Sequence, residues 1–214
     1  AVDAVTGGFE YEDVFRCLKT GMAGITAAEC DVLENYVIRW EIRGGMWLRE
    51  TDWTASPDGY GAELNEVRRQ RLAEVNAVRR RVRGLFYDLS EGLKAGETVR
   101  DKAEVLYRFA ESAGVPETLE RQTAALYDDG QVQLAEEYRQ LWSIFCGVLD
   151  QFVELLGDVE ADGQEFARLL RLVLSQYAVA TIPATLDQVK VTPITRNDRH
   201  TVRHLFLLGA NDNV

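Results

Sequence analysis

A chain of 214 residues with 46% hydrophobic content is long enough for one large domain or two small ones with a real core, which excludes global disorder. It has no run of about 18 apolar residues and no basic and apolar regions of a signal peptide at its start, so neither a membrane span nor secretion is indicated and a cytoplasmic location is expected. A formal net charge of −11 argues against a free-standing nucleic-acid binder, because phosphate affinity comes mainly from clustered Lys and Arg; such an acidic surface serves solubility or one side of a charge-complementary interface.

Helical periodicity dominates from the start to about residue 178. Phe9, Tyr11, Val14, Phe15 and Leu18 make a short apolar face that Gly21 ends, and Thr26 with Glu29 forms a capping box opening the next helix. That helix carries Cys30, Leu33, Val37 and Trp40 on one side and stops at Gly44 and Gly45. Residues 46–61, with Trp47, Trp53, Tyr60 and the turn formers Ser56, Pro57, Asp58 and Gly59, read as an ordered surface loop whose aromatics lid a core. From Gly61 to about Leu93, apolar residues at steps of three and four mark one long amphipathic helix, weakened by Gly84 and Gly92. Further helices are predicted over residues 98–112, 119–127 and 131–156, and a last one that Asp162 and Glu165 cap. After Pro183 the period shortens to two: Leu186, Val189 and Val191 form one β-type run, and residues 204–208 a second.

No catalytic constellation and no metal site emerges. Cys17, Cys30 and Cys146 are odd in number and scattered in apolar helical patterns, which suits reduced thiols rather than disulfides or ligands. His200 and His204 stand four apart, but the second opens a β-type run and no further ligand is near. Asp128, Asp129, Asp158 and Asp162 are turn and cap residues, and Lys19, Thr20 and Gly21 read as a capped helix end.

Two constellations point to binding. Arg43 and Trp47 could hold a phosphate and stack a base, although a Trp covering a helix end explains the same residues. The long helix carries seven arginines between residues 68 and 83, offset locally only by Glu74. At about 100° per residue, Arg69, Arg80 and Arg81 fall away from the apolar stripe, as a solvated face or a strip for phosphate or a partner. Arg68, Arg71 and Arg79 fall within or beside it; Arg71, the most central, is expected to pair with a carboxylate from another helix.

Residues 14–24 (VFRCLKTGMAG), 32–37 (VLENYV) and 42–47 (IRGGMW) resemble a run in the B subunits of AddAB-type helicase/deoxyribonucleases. Residues 182–191 (IPATLDQVKV) and 205–212 (LFLLGAND) resemble the run that resumes those subunits' helicase-like core, and the order and separation of the two blocks also fit. The residues between match only in helical character, and Asn213 stands where the family usually has Gly before a Leu-Pro. The resemblance implies that residues 1–180 are the helical subdomain inserted in a UvrD-like helicase core and that residues 181–214 are the returning edge of its RecA-like half. It places ATP, Mg and an iron–sulfur cluster in the parent outside this chain, with the partners being the family's A subunit and DNA. The expected fold is mainly α, an irregular bundle of about six helices with a short two-stranded β element at the C-terminal end. The expected function is non-catalytic, positioning DNA or the partner subunit while double-strand ends are processed for recombinational repair; the alternative is a free-standing helical protein-interaction module with no DNA role.

Overall fold

A computed structural model describes residues 1–176 together with His204 and Phe206. The chain divides into two units, Ala1–Thr181 and Ile182–Val214. The β element expected after Pro183 lies outside the described residues, apart from His204 and Phe206, which are both exposed.

The described residues form eight helices: α1 (Val2–Thr6), α2 (Tyr11–Leu18), α3 (Ala27–Arg39), α4 (Glu66–Ala95), α5 (Val99–Ser112), α6 (Val115–Asp128), α7 (Val132–Leu156) and α8 (Gly163–Leu174). A 3-10 turn occupies Gly44–Met46. The five-residue α1 has too few turns to leave a periodic signature, and periodicity passes over it.

The first four N–H groups of a helix have no intrahelical acceptor, and this chain supplies acceptors from side chains. Thr26 Oγ1 accepts from the Glu29 amide at 3.2 Å while the Glu29 carboxylate accepts from the Thr26 amide at 2.8 Å. Thr98 and Asp101 build the same reciprocal box on α5. Asn65 caps α4 through the Arg68 amide at 3.0 Å, so that helix starts at Glu66 and not at Gly61 as the apolar pattern suggests. The helix expected from residue 119 begins earlier, because Gly114 takes a left-handed φ of 70° and Pro116 follows, a residue suited to a first turn.

The thirty residues of α4 span about 45 Å at the usual rise, and the helix runs through two cores. Val75, Val78, Val82 and Phe86 belong to a first core with α1, α2, α3 and the segment that leads to α4. Leu89 and Leu93 belong to a second, with Val99, Ala103 and Leu106 of α5, Leu149 and Phe152 of α7, and Phe166 and Leu170 of α8. The ends of α5 and α7 are tied by backbone bonds: the Val99 and Arg100 amides donate to the carbonyls of Val159 and Gly157 at 2.9 and 3.0 Å. Lys102 is buried, and its ammonium donates to the Gly96 carbonyl just beyond the α4 C-terminus, where a cation complements the helix dipole.

Two glycines inside α4 have opposite surroundings. A Cβ at Gly92 would lie 2.6 Å from Val105 Cγ1 and 2.9 Å from its Cγ2, so the missing side chain is what lets α4 and α5 approach. A Cβ at Gly84 meets nothing within 4 Å. Gly84→Ala should therefore stabilise the fold by about 0.5–1 kcal/mol through helix propensity alone. Gly92→Ala should destabilise it by about 1–3 kcal/mol, since Val105 is stiff at χ1 and cannot turn aside. Thermal or urea unfolding of the two variants checks the signs, and stabilisation by Gly92→Ala would show that the α4–α5 approach is looser than described.

Candidate nucleic-acid or partner interface on the arginine helix

The segment from Trp47 to Asp58 has no regular secondary structure, yet it is partly buried, so its backbone groups need partners that no helix or sheet supplies. Its aromatics give it an anchor. Trp47 and Trp53 are buried and meet edge to face, with ring centroids 5.7 Å apart and an interplanar angle of 71°. Tyr36 of α3 stacks on Trp53 at 5.1 Å with an interplanar angle of 1°, and Phe15 of α2 meets Trp47 at 6.1 Å.

Helix α4 then bonds the backbone of this segment. Asn76 Oδ1 accepts from the Trp53 amide and Asn76 Nδ2 donates to the Trp53 carbonyl, both at 2.9 Å. Arg79 Nη2 donates to the Arg49 carbonyl, and Arg83 Nε donates to the Leu48 carbonyl at 2.9 Å. From α3, Tyr36 Oη donates to the Ala55 carbonyl at 3.1 Å and Trp40 Nε1 to the Ser56 carbonyl at 3.0 Å. Arg39 donates to the Pro57 carbonyl.

Arg79 is the most demanding of these groups, with a side-chain exposure of 0%. Its guanidinium lies over the Trp53 ring, Cζ 5.0 Å from the centroid, and its Nη1 is 3.8 Å from Asp52 Oδ1. Burial pulls its pKa below the usual guanidinium value, and the Asp52 carboxylate opposes that shift. Nε and Nη1 make no hydrogen bond, so the ring face and the carboxylate are what offset the loss of water.

The remaining arginines of α4 meet carboxylates of this same chain. Arg68 Nε is 2.6 Å from Asp58 Oδ2, and Arg71 Nη1 is 3.3 Å from Asp58 Oδ1. Arg80 Nη1 is 2.7 Å from Asp52 Oδ2, Arg81 pairs with Glu29, and Arg69 Nη1 is 3.5 Å from Glu66 Oε2. The Arg68 hydrogen bond, with Arg71 nearby, holds the Asp58 carboxyl below its ordinary range. The Thr26 amide and then Arg81 do the same for Glu29. Arg69, Arg80 and Arg81 keep side chains that are more than half exposed, each with a carboxylate of this chain as its neighbour.

Two expectations are corrected by this geometry. Arg71 is not the buried arginine: it is 58% exposed and pairs with Asp58 of a loop, not with another helix. The apolar stripe of α4 is fully buried only from Val75, since Val67 is 61% exposed and Leu72 packs on the first core only in part, and this moves the buried position two turns on to Arg79. Trp47 has no exposed ring on which to stack a base, because Phe15 and Trp53 enclose it at an exposure of 0%. Arg43 is exposed at the start of the 3-10 turn. Asn76 escapes the sequence reading, and its signal is a polar residue beside Val75 and Val78 on the buried side of a long helix.

The described residues assemble no ligand set for a metal or an iron–sulfur cluster. Cys17, Cys30 and Cys146 are free and sit on α2, α3 and α7, and among the described residues no three His, Cys, Asp or Glu side chains gather as ligands. Burial pushes the thiols of Cys30 and Cys146 up, which leaves both poor nucleophiles. Among the described residues no helix is long and apolar enough to cross a membrane.

Truncation separates the two arginines that the sequence groups together. Arg79→Ala should cost about 3 kcal/mol, by uncovering Trp53 and leaving a cavity. Arg79→Lys should recover little of it, because an ammonium neither stacks nor reaches two partners. Arg71→Ala should leave the melting temperature nearly unchanged, as expected of an exposed pair. Equal losses for Arg71→Ala and Arg79→Ala would contradict the burial described.

No family model matches the chain. Curated relatives match it throughout. The ATP-dependent helicase/deoxyribonuclease B subunit of Clostridium botulinum (strain Loch Maree / Type A3) is 36% identical over 215 residues, which covers 100% of this chain and 19% of the relative. The protein of the same name from Caldanaerobacter subterraneus subsp. tengcongensis is 36% identical over 206 residues, covering 96% of this chain and 18% of the relative. That of Acetivibrio thermocellus is 35% identical over 214 residues, covering 100% and 19%. The chain therefore corresponds along its whole length to a segment of the B subunits of the ATP-dependent helicase/deoxyribonuclease family, spanning about 19% of the relatives it matches.

Proposed function

We propose that this chain is a non-catalytic positioning segment of a helicase/deoxyribonuclease B subunit, acting where double-strand DNA ends are processed for recombinational repair. The observation that carries the reading is the end-to-end likeness to such B subunits, at 36% identity over 215 residues. In this reading residues 1–180 are the helical insert of a helicase-like core and residues 181–214 lead back into its RecA-like half. ATP, Mg and the iron–sulfur cluster belong to other parts of the protein.

The described residues support a positioning role over a chemical one. Asp58, Asp52 and Glu29, the carboxylates that Arg68, Arg80 and Arg81 of α4 meet, are engaged as ion-pair partners or in a helix cap. Between DNA and the partner subunit, the pairing of Arg69, Arg80 and Arg81 inside the chain favours a protein partner, since the arginine strip carries little free positive charge.

The test uses the full-length protein in complex with its partner subunit, with Arg69, Arg80 and Arg81 all changed to Ala. Loss of salt-sensitive binding to the partner or to a DNA end is expected, with the melting temperature almost unchanged. The isolated 214-residue chain is expected to hydrolyse neither ATP nor DNA. Metal-dependent DNA cleavage by the chain, freed of contaminating nuclease, or unaltered binding by the triple variant in both assays, would overturn the reading.

A further inference from the structure

Asp52 stands between two arginines of α4 whose surroundings differ. Its Oδ2 is 2.7 Å from Arg80 Nη1, and its Oδ1 is 3.8 Å from Arg79 Nη1. The first distance is that of a charge-assisted hydrogen bond, and the second is about 1 Å too long for one. The Arg80 side chain is 56% exposed, so water reaches its head. Arg79 is wholly buried, and its Nε and Nη1 make no hydrogen bond. Among the described residues, Asp52 is the one carboxylate within 4 Å of that buried guanidinium. It is therefore bonded to the arginine that needs it less, since an exposed pair contributes little and a buried charge is costly to leave uncompensated.

The backbone on either side of Asp52 is held from α4. Arg79 Nη2 donates to the Arg49 carbonyl on one side, and Asn76 bonds both the amide and the carbonyl of Trp53 on the other. The Asp52 side chain itself is 43% exposed, which leaves the carboxylate room to turn while those bonds stay in place.

We propose that Asp52 is a shared counter-ion that couples Arg80, on the outer face of α4, to the fastening of residues 47–58. When Arg80 loses its hold, the carboxylate turns inward, closes by about 1 Å onto Arg79 Nη1 and gives the buried guanidinium a second hydrogen bond. The segment then has one more bond to break before the Trp53 amide meets water. An acidic group of another molecule at Arg80 repels Asp52 and drives the same turn, so that contact on the outside tightens the segment inside. This last step rests on the reading that Arg69, Arg80 and Arg81 face another molecule; the coupling between Asp52 and the two arginines does not.

Hydrogen exchange of the Trp53 amide, followed by mass spectrometry in the full-length protein, tests the coupling. Arg80→Ala should slow that exchange by about threefold or more, against the usual expectation for loss of an ion pair. Asp52→Asn should hasten it, and adding Arg80→Ala to Asp52→Asn should change nothing further. Alanine suits an exposed helix position, so the fold is preserved, and circular dichroism checks it. Unchanged or faster exchange in Arg80→Ala would overturn the coupling, because an ordinary exposed pair gives one of these results. Slowing that persists in the Asp52→Asn background would overturn it too, since helix propensity alone then accounts for the effect. Binding of the partner subunit or a DNA end through Arg80 should slow the same amide in the unaltered protein. Slowing in Arg80→Ala without slowing on binding would leave the coupling standing and take Arg80 out of the contact, which counts against the proposed function alone.

Discussion

The structure depends on a requirement of the backbone. Residues 47–58 follow α3, run between two buried tryptophans and reach α4 without forming a helix or a strand, so their amides and carbonyls must be satisfied by side chains. Helix α4 meets this requirement from within its own apolar stripe. Asn76 completes both backbone groups of Trp53, and Arg79 and Arg83 take the carbonyls of Arg49 and Leu48. Arginine suits the task because its planar head lies on the Trp53 ring while an edge donates outward. With the segment fixed in this way, Asp52 and Asp58 are brought within reach of Arg80, Arg68 and Arg71, and the outer charges of α4 are matched as a consequence.

The same helix organises the second core. Beyond Phe86 its stripe continues through Leu89 and Leu93 to meet α5, α7 and α8, and Gly92 allows α5 to come close. Helix α1 contributes to both cores through Ala4 and Val2. The α6–α7 hairpin lies mostly outside this plan.

Much of this architecture is legible in the sequence, and the failures have physical causes. The capping box at Thr26 and Glu29 and the long stripe of α4 follow from local rules, and the structure reproduces both. Helix α1 escapes because five residues carry no period, and the start of α6 because a glycine N-cap offers no side chain to read. The larger failure concerns Arg71 and Arg79. Both lie on or near the stripe, and periodicity ranks positions around a helix without saying where along its length the helix enters the core. The loop tryptophans decide that, and where they land is a tertiary fact. Trp47 is a case where two readings stand side by side: beside Arg43 it could stack a base, or with Trp53 it could lid the core, and the wholly enclosed ring is the second of these. The resemblance of the two terminal blocks to helicase/deoxyribonuclease B subunits is a sounder guide, since the likeness extends across the whole chain.

The polar residues Asn76, Arg79 and Arg83 of α4 thus fasten residues 47–58. Amide hydrogen exchange on the Trp53 N–H tests this most directly, because that group lies in a loop and donates to the Asn76 side chain. If the fastening is as described, the amide is protected to an extent comparable to Val78 and Val82 in the buried part of α4, and the protection is lost in Asn76→Ala. Exchange at the rate of an open loop in the unaltered chain would contradict it.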